Sequence, residues 1–366
     1  MAREGSGMDG EPLLREVPNP EVLSQKDLAS RDRSRCEALL ERSRALRASD
    51  PEMMVLTAEL AVSLAERLGA AAANDSATAD LQARAWAELG NARRVADDFP
   101  GAESGLARAL EKAGRGSGDP LLLARLMDLT ASLYKDQRRF EEARRLLDLV
   151  YTIYEREGDT HGTARVLVSM GASAGDAFEF EEAIHHVTRG IALLAGARDP
   201  KLTLVAIHNL IWYLVEYGRP AQAHQLFLQS RALFTRYAEP LEIVKSNWLE
   251  GRIAAGIGDD AFAEMRFLEA RARFDEVQLS YEVALVSLDL AALWLKAGRT
   301  AEIRKLIDQT ITIFRTRKIR REALGMLLVL REALRQERAT EELLRTVAAD
   351  LLRLEESPAP KSTARS

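Results

Sequence analysis

One cysteine, Cys36, in 366 residues excludes an intramolecular disulfide framework and a Cys-rich zinc site, and fits a reducing compartment. Aromatic residues make up 6% of the chain, with 22 Gly and 11 Pro, too few of each for an all-β protein of this length. Neither sign of charge dominates: 51 Lys and Arg stand against 56 Asp and Glu, a formal net charge of -5, with both signs interspersed. A general affinity for nucleic acid or membrane surfaces is therefore not expected. No apolar run reaches membrane-spanning length, and the opening MAREGSGMDGEPLLREVPNPEVL lacks the apolar core of a signal peptide. The expected location is the cytoplasm.

What the chain does have is 47% hydrophobic residues and a repeat. Starting at Ala143 and stepping by 40 residues meets Ala183, Ala223, Ala263, Ile303 and Leu343, small or apolar each time. Four residues beyond these anchors lie Leu147, Val187, Phe227, Phe267, Ile307 and Val347, and eleven beyond lie Tyr154, Leu194, Phe234, Phe274, Phe314 and Leu354. Spacings of four and eleven place three apolar side chains on one helical stripe. Five residues before the anchor, Gly218, Gly258 and Gly298 mark a tight turn that favours a left-handed backbone; Arg138, Phe178 and Arg338 take that place elsewhere. Pro120, Pro200 and Pro240 each follow an acidic residue, a helix start signal. Each period is thus two helices joined by a turn, and such hairpins bury their apolar stripes only by stacking.

These features predict six hairpins over 119–356, preceded by less regular helical hairpins over 31–118. Residues 1–30 and 357–366, rich in Gly, Pro and charge, are expected to be disordered. The hairpin L-x-x-x-L-Y-x-x-x-x-x-F-E-E-A-x-x-L-L, the turns Y-G-R-P-A-Q-A and A-G-R-T-A-E-I, and the segment around Trp86, Leu89, Gly90 and Ala102 resemble tetratricopeptide repeats. The resemblance spans about residues 35–356, although the 40-residue period exceeds the family's usual 34. It implies an all-α, right-handed superhelix of antiparallel hairpins, and a protein or peptide as partner.

It also implies that the first helix of each hairpin lines a concave surface, through positions 18, 15, 11, 8 and 7 before the anchor. Those positions hold Arg125 and Asp128 in one repeat, His208, Trp212 and Glu216 in another, and Lys245, Trp248 and Arg252 in the next. The repeat after that supplies Leu285, Leu288, Ala292, Leu295 and Lys296, a largely apolar floor. Trp and Arg are frequent binding hot spots, because each joins large contact area to directed donors. On this reading Trp212 and Arg252 can be removed together without loss of folding.

Catalytic and cofactor signals are weak. Gly171-Ala172-Ser173-Ala174-Gly175 matches a nucleophile elbow in letters, but the residues before it read as helix, not strand. The five histidines show no metal-ligand spacing, and Gly114–Gly118 lacks the Lys-Ser/Thr ending of a phosphate loop. No enzyme activity, metal or cofactor is expected. Gly171, Gly175 and Gly190 each cost about 1 kcal/mol relative to Ala inside a helix, which marks their hairpin as the expected soft point. Two functions fit: an interaction scaffold, or a regulator whose array senses a small peptide or ligand.

Overall fold

The computed structural model describes residues 25–47, 49–71, 75–195, 199–317 and 321–355. The expectation of disorder for 1–24 and for the tail from 357 lies outside them. Helix begins at Gln25 rather than near residue 31, since QKDLASRDRSR contains no breaker. The described residues form sixteen helices and no strand: α1 Gln25–Leu46, α2 Pro51–Ala71, α3 Ser76–Val95, α4 Phe99–Ala113, α5 Pro120–Asp136, α6 Phe140–Glu157, α7 Thr160–Asp176 and α8 Phe180–Leu194. Then come α9 Pro200–Glu216, α10 Pro220–Tyr237, α11 Pro240–Ile257, α12 Asp260–Glu276, α13 Ser280–Lys296, α14 Thr300–Thr316, α15 Arg321–Arg335 and α16 Glu341–Glu355.

The starts are set by acidic caps. Asp119, Asp159 and Asp199 each accept a backbone N–H from the first turn of the helix that follows, and Glu239 forms a reciprocal capping box with Glu242. The turns within hairpins use a left-handed residue: Gly218 (φ 77°), Gly258 (φ 88°) and Gly298 (φ 70°), and at the same place Arg138 and Phe178. Ala143, Ala183, Ala223, Ala263 and Ile303 are fully buried where the two helices of a hairpin cross.

Each helix packs on the next, giving sequential stacked hairpins. The backbones of the odd-numbered helices α3 to α13 also approach one another in succession, whereas the even-numbered helices meet only through long side chains such as Arg144 and Glu182. Helices crowd on the inside of a curve, so the odd helices form the concave layer and the even ones the outer layer.

The last hairpin departs from this plan. α15 keeps the register, burying Ala323, Leu327, Leu330 and Leu334. The left-handed turn residue is then Glu337, not Arg338, and the connection runs over 336–340 where that between α13 and α14 needs only 297–299. α16 is rotated as a result: Leu344, Val347 and Leu351 are buried, while Leu343 is half-buried. α16 packs against α13 and α15, and α15 touches α14 but not α13. The second helix of this hairpin therefore lies on the concave side.

The glycines of α7 and α8 have a cause other than softness. A Cβ on Gly171 would stand 2.3 Å from Val187 Cγ2 and 3.0 Å from the Ala183 carbonyl, and one on Gly175 would meet the Tyr213 ring at 2.4 Å. These are points of close helix approach, like Gly90 against Ala102 and Leu106. Gly171→Ala is accordingly expected to destabilise by about 1–3 kcal/mol through overpacking. Denaturant unfolding decides the sign, because relief of a soft helix would instead stabilise by about 1 kcal/mol.

Candidate functional site: a cleft on the concave face

Helices α9, α11 and α13 bring the tryptophans and charges together. Trp212 and Trp248 meet edge to face, with ring centroids 5.2 Å apart at 78°. Trp248 turns inward, 7% exposed, and stands edge-on to Phe274 of the outer layer. Trp212 stays half-buried, and the Arg252 guanidinium covers its ring at 4.2 Å from the centroid. One tryptophan is thus core and the other is the groove surface.

Arg252 is held from two sides. Its Nη1 lies 2.7 Å from Glu216 Oε1 on α9, and its Nε lies 3.3 Å from Asp289 Oδ2 on α13. Trp248 Nε1 donates to the same Asp289 oxygen at 2.7 Å. Burial pushes the Asp289 carboxyl above its ordinary range, opposed by Arg252 and the indole N–H. Burial also disfavours the Arg252 charge, but Asp289 and Glu216 outweigh it and raise its pKa. The expected freely removable Arg252 is therefore corrected: it joins three successive hairpins, and its loss leaves two carboxylates facing each other. Asp289 falls between the register positions expected to line the groove, Leu288 and Ala292. The signal was present as the sole acid within VALVSLDLAALWL.

Around this network lies a cleft of about 620 Å³. Trp212, Glu216, Trp248 and Arg252 line it, with Leu285, Leu288 and Ala292 as floor and Lys296 at the rim. Its other wall is α16, through Glu341, Leu344, Arg345, Ala348, Ala349 and Leu352. Phe178, whose left-handed backbone fills a place usually given to glycine, closes one end, and the Arg353 guanidinium sits 5.4 Å from its ring centroid. A side chain retained at such a turn was the signal for Phe178. The α16 residues carried none, since their placement follows from the rephased turn.

His208 lines a smaller adjoining cleft of about 230 Å³ with Trp212 and Phe178. Burial, reinforced by the nearby Lys245 charge, lowers its pKa to about 4, and its Nε2 has no hydrogen-bond partner among the described residues. Lys245 lines neither cleft. Arg125 and Asp128 also lie outside both: on α5, Arg125 Nη1 donates to Asp128 Oδ2 at 2.8 Å, and Arg165 of α7 approaches the same oxygen at 3.6 Å. They form a separate ion pair along the concave layer. A third charge cluster links Arg94 to Asp136 and Lys135 to Asp136 and Asp176.

The remaining motifs fall inside helices. Ser173 lies within α7 and is 6% exposed, which gives it no elbow geometry. Cys36 is fully buried, its thiol donates to the Ala61 carbonyl, and burial pushes it up to about 11 despite neighbouring arginines. Among the described residues no group of His, Cys, Asp or Glu is arranged to hold a metal, and no helix is long and apolar enough to cross a membrane.

Two outcomes are expected. Asp289→Ala should destabilise the chain by about 2–4 kcal/mol, since it strands the Trp248 N–H and half of Arg252's pairing; Asp289→Asn, which keeps the indole bond, should cost less by thermal melting. His208 is held neutral in the fold, with a pKa of about 4 against an ordinary 6.5. Its contribution is therefore present above pH 6.5 and lost as pH falls toward 4. Over that window His208→Gln should flatten the acid loss of stability by on the order of 3 kcal/mol, read from urea midpoints at stepped pH.

No protein-family model and no curated protein matches the chain. Solved structures do match. A Rap protein complexed with Competence and Sporulation Factor aligns over 88% of this chain and 88% of its own, at 13% identity and a TM-score of 0.61. Aspartyl phosphate phosphatase F from Bacillus subtilis aligns over 79% of this chain and 72% of its own, at 13% identity and a TM-score of 0.60. A signal transduction ATPase with a tetratricopeptide repeat sensor, from Pyrococcus horikoshii, aligns over 93% of this chain and 53% of its own, at 13% identity and a TM-score of 0.59. At such identities the likeness is one of fold. With its sequential stacked hairpins, the chain is a tetratricopeptide-like repeat protein.

Proposed function

We propose that this is a non-enzymatic binding protein that holds a segment of a partner protein on the concave face formed by α9, α11 and α13. The observation that carries this is Trp212. It presents an indole at a cleft of about 620 Å³ whose floor is apolar and where Arg252, Glu216 and Asp289 already hold one another in place. A preorganised surface of this kind binds without first paying to order its own side chains. Glu216 and Lys296 on that face offer both signs of charge to a partner's backbone and side chains. The Rap protein of like fold is complexed with Competence and Sporulation Factor, which supports a partner of this class.

A sensing role is the second reading. The Glu216–Arg252–Asp289 network spans three hairpins, so a ligand that competes for Arg252 would change how they sit together. The tetratricopeptide sensor of the Pyrococcus protein supports the same idea.

Selection from a displayed peptide library on the full chain tests the proposal. Peptides recovered on the parent are expected to bind at least tenfold more weakly to Trp212→Ala and to the rim variant Lys296→Glu. Leu268→Ala, at a 45%-exposed site on α12, should leave binding unchanged. Peptides that ignore both cleft variants but lose affinity on Leu268→Ala would move the site to the outer face.

A further inference from the structure

α16 is seated along one stripe, Leu344, Val347 and Leu351, and leaves space beside it. Leu344, Val347 and Leu351 join the core formed with α13 and α15, and at its end Arg353 lies over Phe178 of the α7–α8 turn. Beside that stripe Ala348 and Ala349 face the cleft, and the α16 backbone approaches neither α9 nor α11. The surface that α16 covers thus keeps an unfilled space bordered by Trp212, Leu285 and Leu288. Atoms lining such a space lack the contacts a closer-fitting partner would supply.

We infer that α16 is an internal occupant of the concave face, an amphipathic helix held where an amphipathic helix of a partner protein binds, and that binding requires its release. This rests on the reading of the cleft as the binding surface. The partner helix is specified by what α16 offers and lacks. It carries apolar residues at the spacing of Leu344, Val347, Leu351 and Leu352, side chains larger than alanine at the places of Ala348 and Ala349, and a basic residue near its C-terminal end to meet Phe178. The longer connection over 336–340 supplies the hinge, because it already departs from the tight turn of the other hairpins. Being tethered, α16 competes at an effective concentration on the order of millimolar. The apparent affinity for an incoming helix is lowered by the fraction of chains that are open.

The probe is a fluorescein-labelled synthetic peptide of residues 340–356 carrying Ala348→Leu and Ala349→Leu. Its anisotropy is followed on the full chain and on full chains carrying Leu344→Gln and Leu351→Gln, which weaken the seat of α16. Binding at least tenfold tighter to the double variant, and loss of that gain when Trp212→Ala is added, is the expected result. Equal affinity for parent and double variant, abolished in both by Trp212→Ala, would overturn gating and leave the cleft as a binding surface. Binding indifferent to Trp212→Ala, or none to the folded double variant, would overturn the helix seat itself. Hydrogen exchange on the unaltered chain guards against a variant that fails to fold. Amides of residues 341–355 should exchange at least tenfold faster than those of 300–316 and lose further protection on saturation with the probe. Equal protection that the probe does not change would also overturn the inference.

Discussion

Everything in this molecule depends on how closely the two helices of a hairpin can cross. The crossing is set by the small residue at the anchor, Ala143, Ala183, Ala223 or Ala263, and by close-approach glycines, Gly171 against Ala183 and Gly90 against Ala102. Close crossing lets long apolar residues such as Phe267, Phe274 and Phe314 bury fully between hairpins. Stacking at this distance puts successive first helices in contact along the inside of the curve, while second helices fan apart outside. A surface lined by side chains from several hairpins follows from that difference in spacing.

The concave layer is where the chain tolerates charge. Arg252 lies against the Trp212 ring and between Glu216 and Asp289, so one guanidinium serves three hairpins. Such a cluster adds little net stability when compared with apolar packing, but removing one member is costly, which makes it a device for fixing geometry. Here it fixes the relative set of α9, α11 and α13 beneath the cleft. The same residues therefore hold the fold and shape the surface, and Trp248, turned inward to bond Asp289, belongs to the fold.

Much of this was legible from spacing. The anchors, the turn glycines and the Asp-Pro starts follow from local chemistry repeated every 40 residues, and Trp212, Glu216, Trp248 and Arg252 share the cleft as the register implies. Other features depend on what the backbone does between repeats. Arg125 and Asp128 occupy equivalent register positions yet lie outside the cleft, because it is bounded by α16, which extends from α13 to the α7–α8 turn and not to α5. That helix left no mark in the apolar period: Leu343 continues it, and the shift of the left-handed residue to Glu337 sends the helix inward regardless. Gly171 and Gly175 were misleading for the opposite reason, since helix propensity counts against them while close packing requires them.

The central claim is that α16 closes the concave face by reaching from α13 to the α7–α8 turn. Cys36 is fully buried, so cysteines introduced at Glu179 and Thr346 can be spin-labelled selectively, and the distance between them measured in the full chain. One narrow, short distance in the free chain, lengthening when a cleft-binding peptide is added, is what this arrangement requires. A broad or uniformly long distance in the free chain would contradict it.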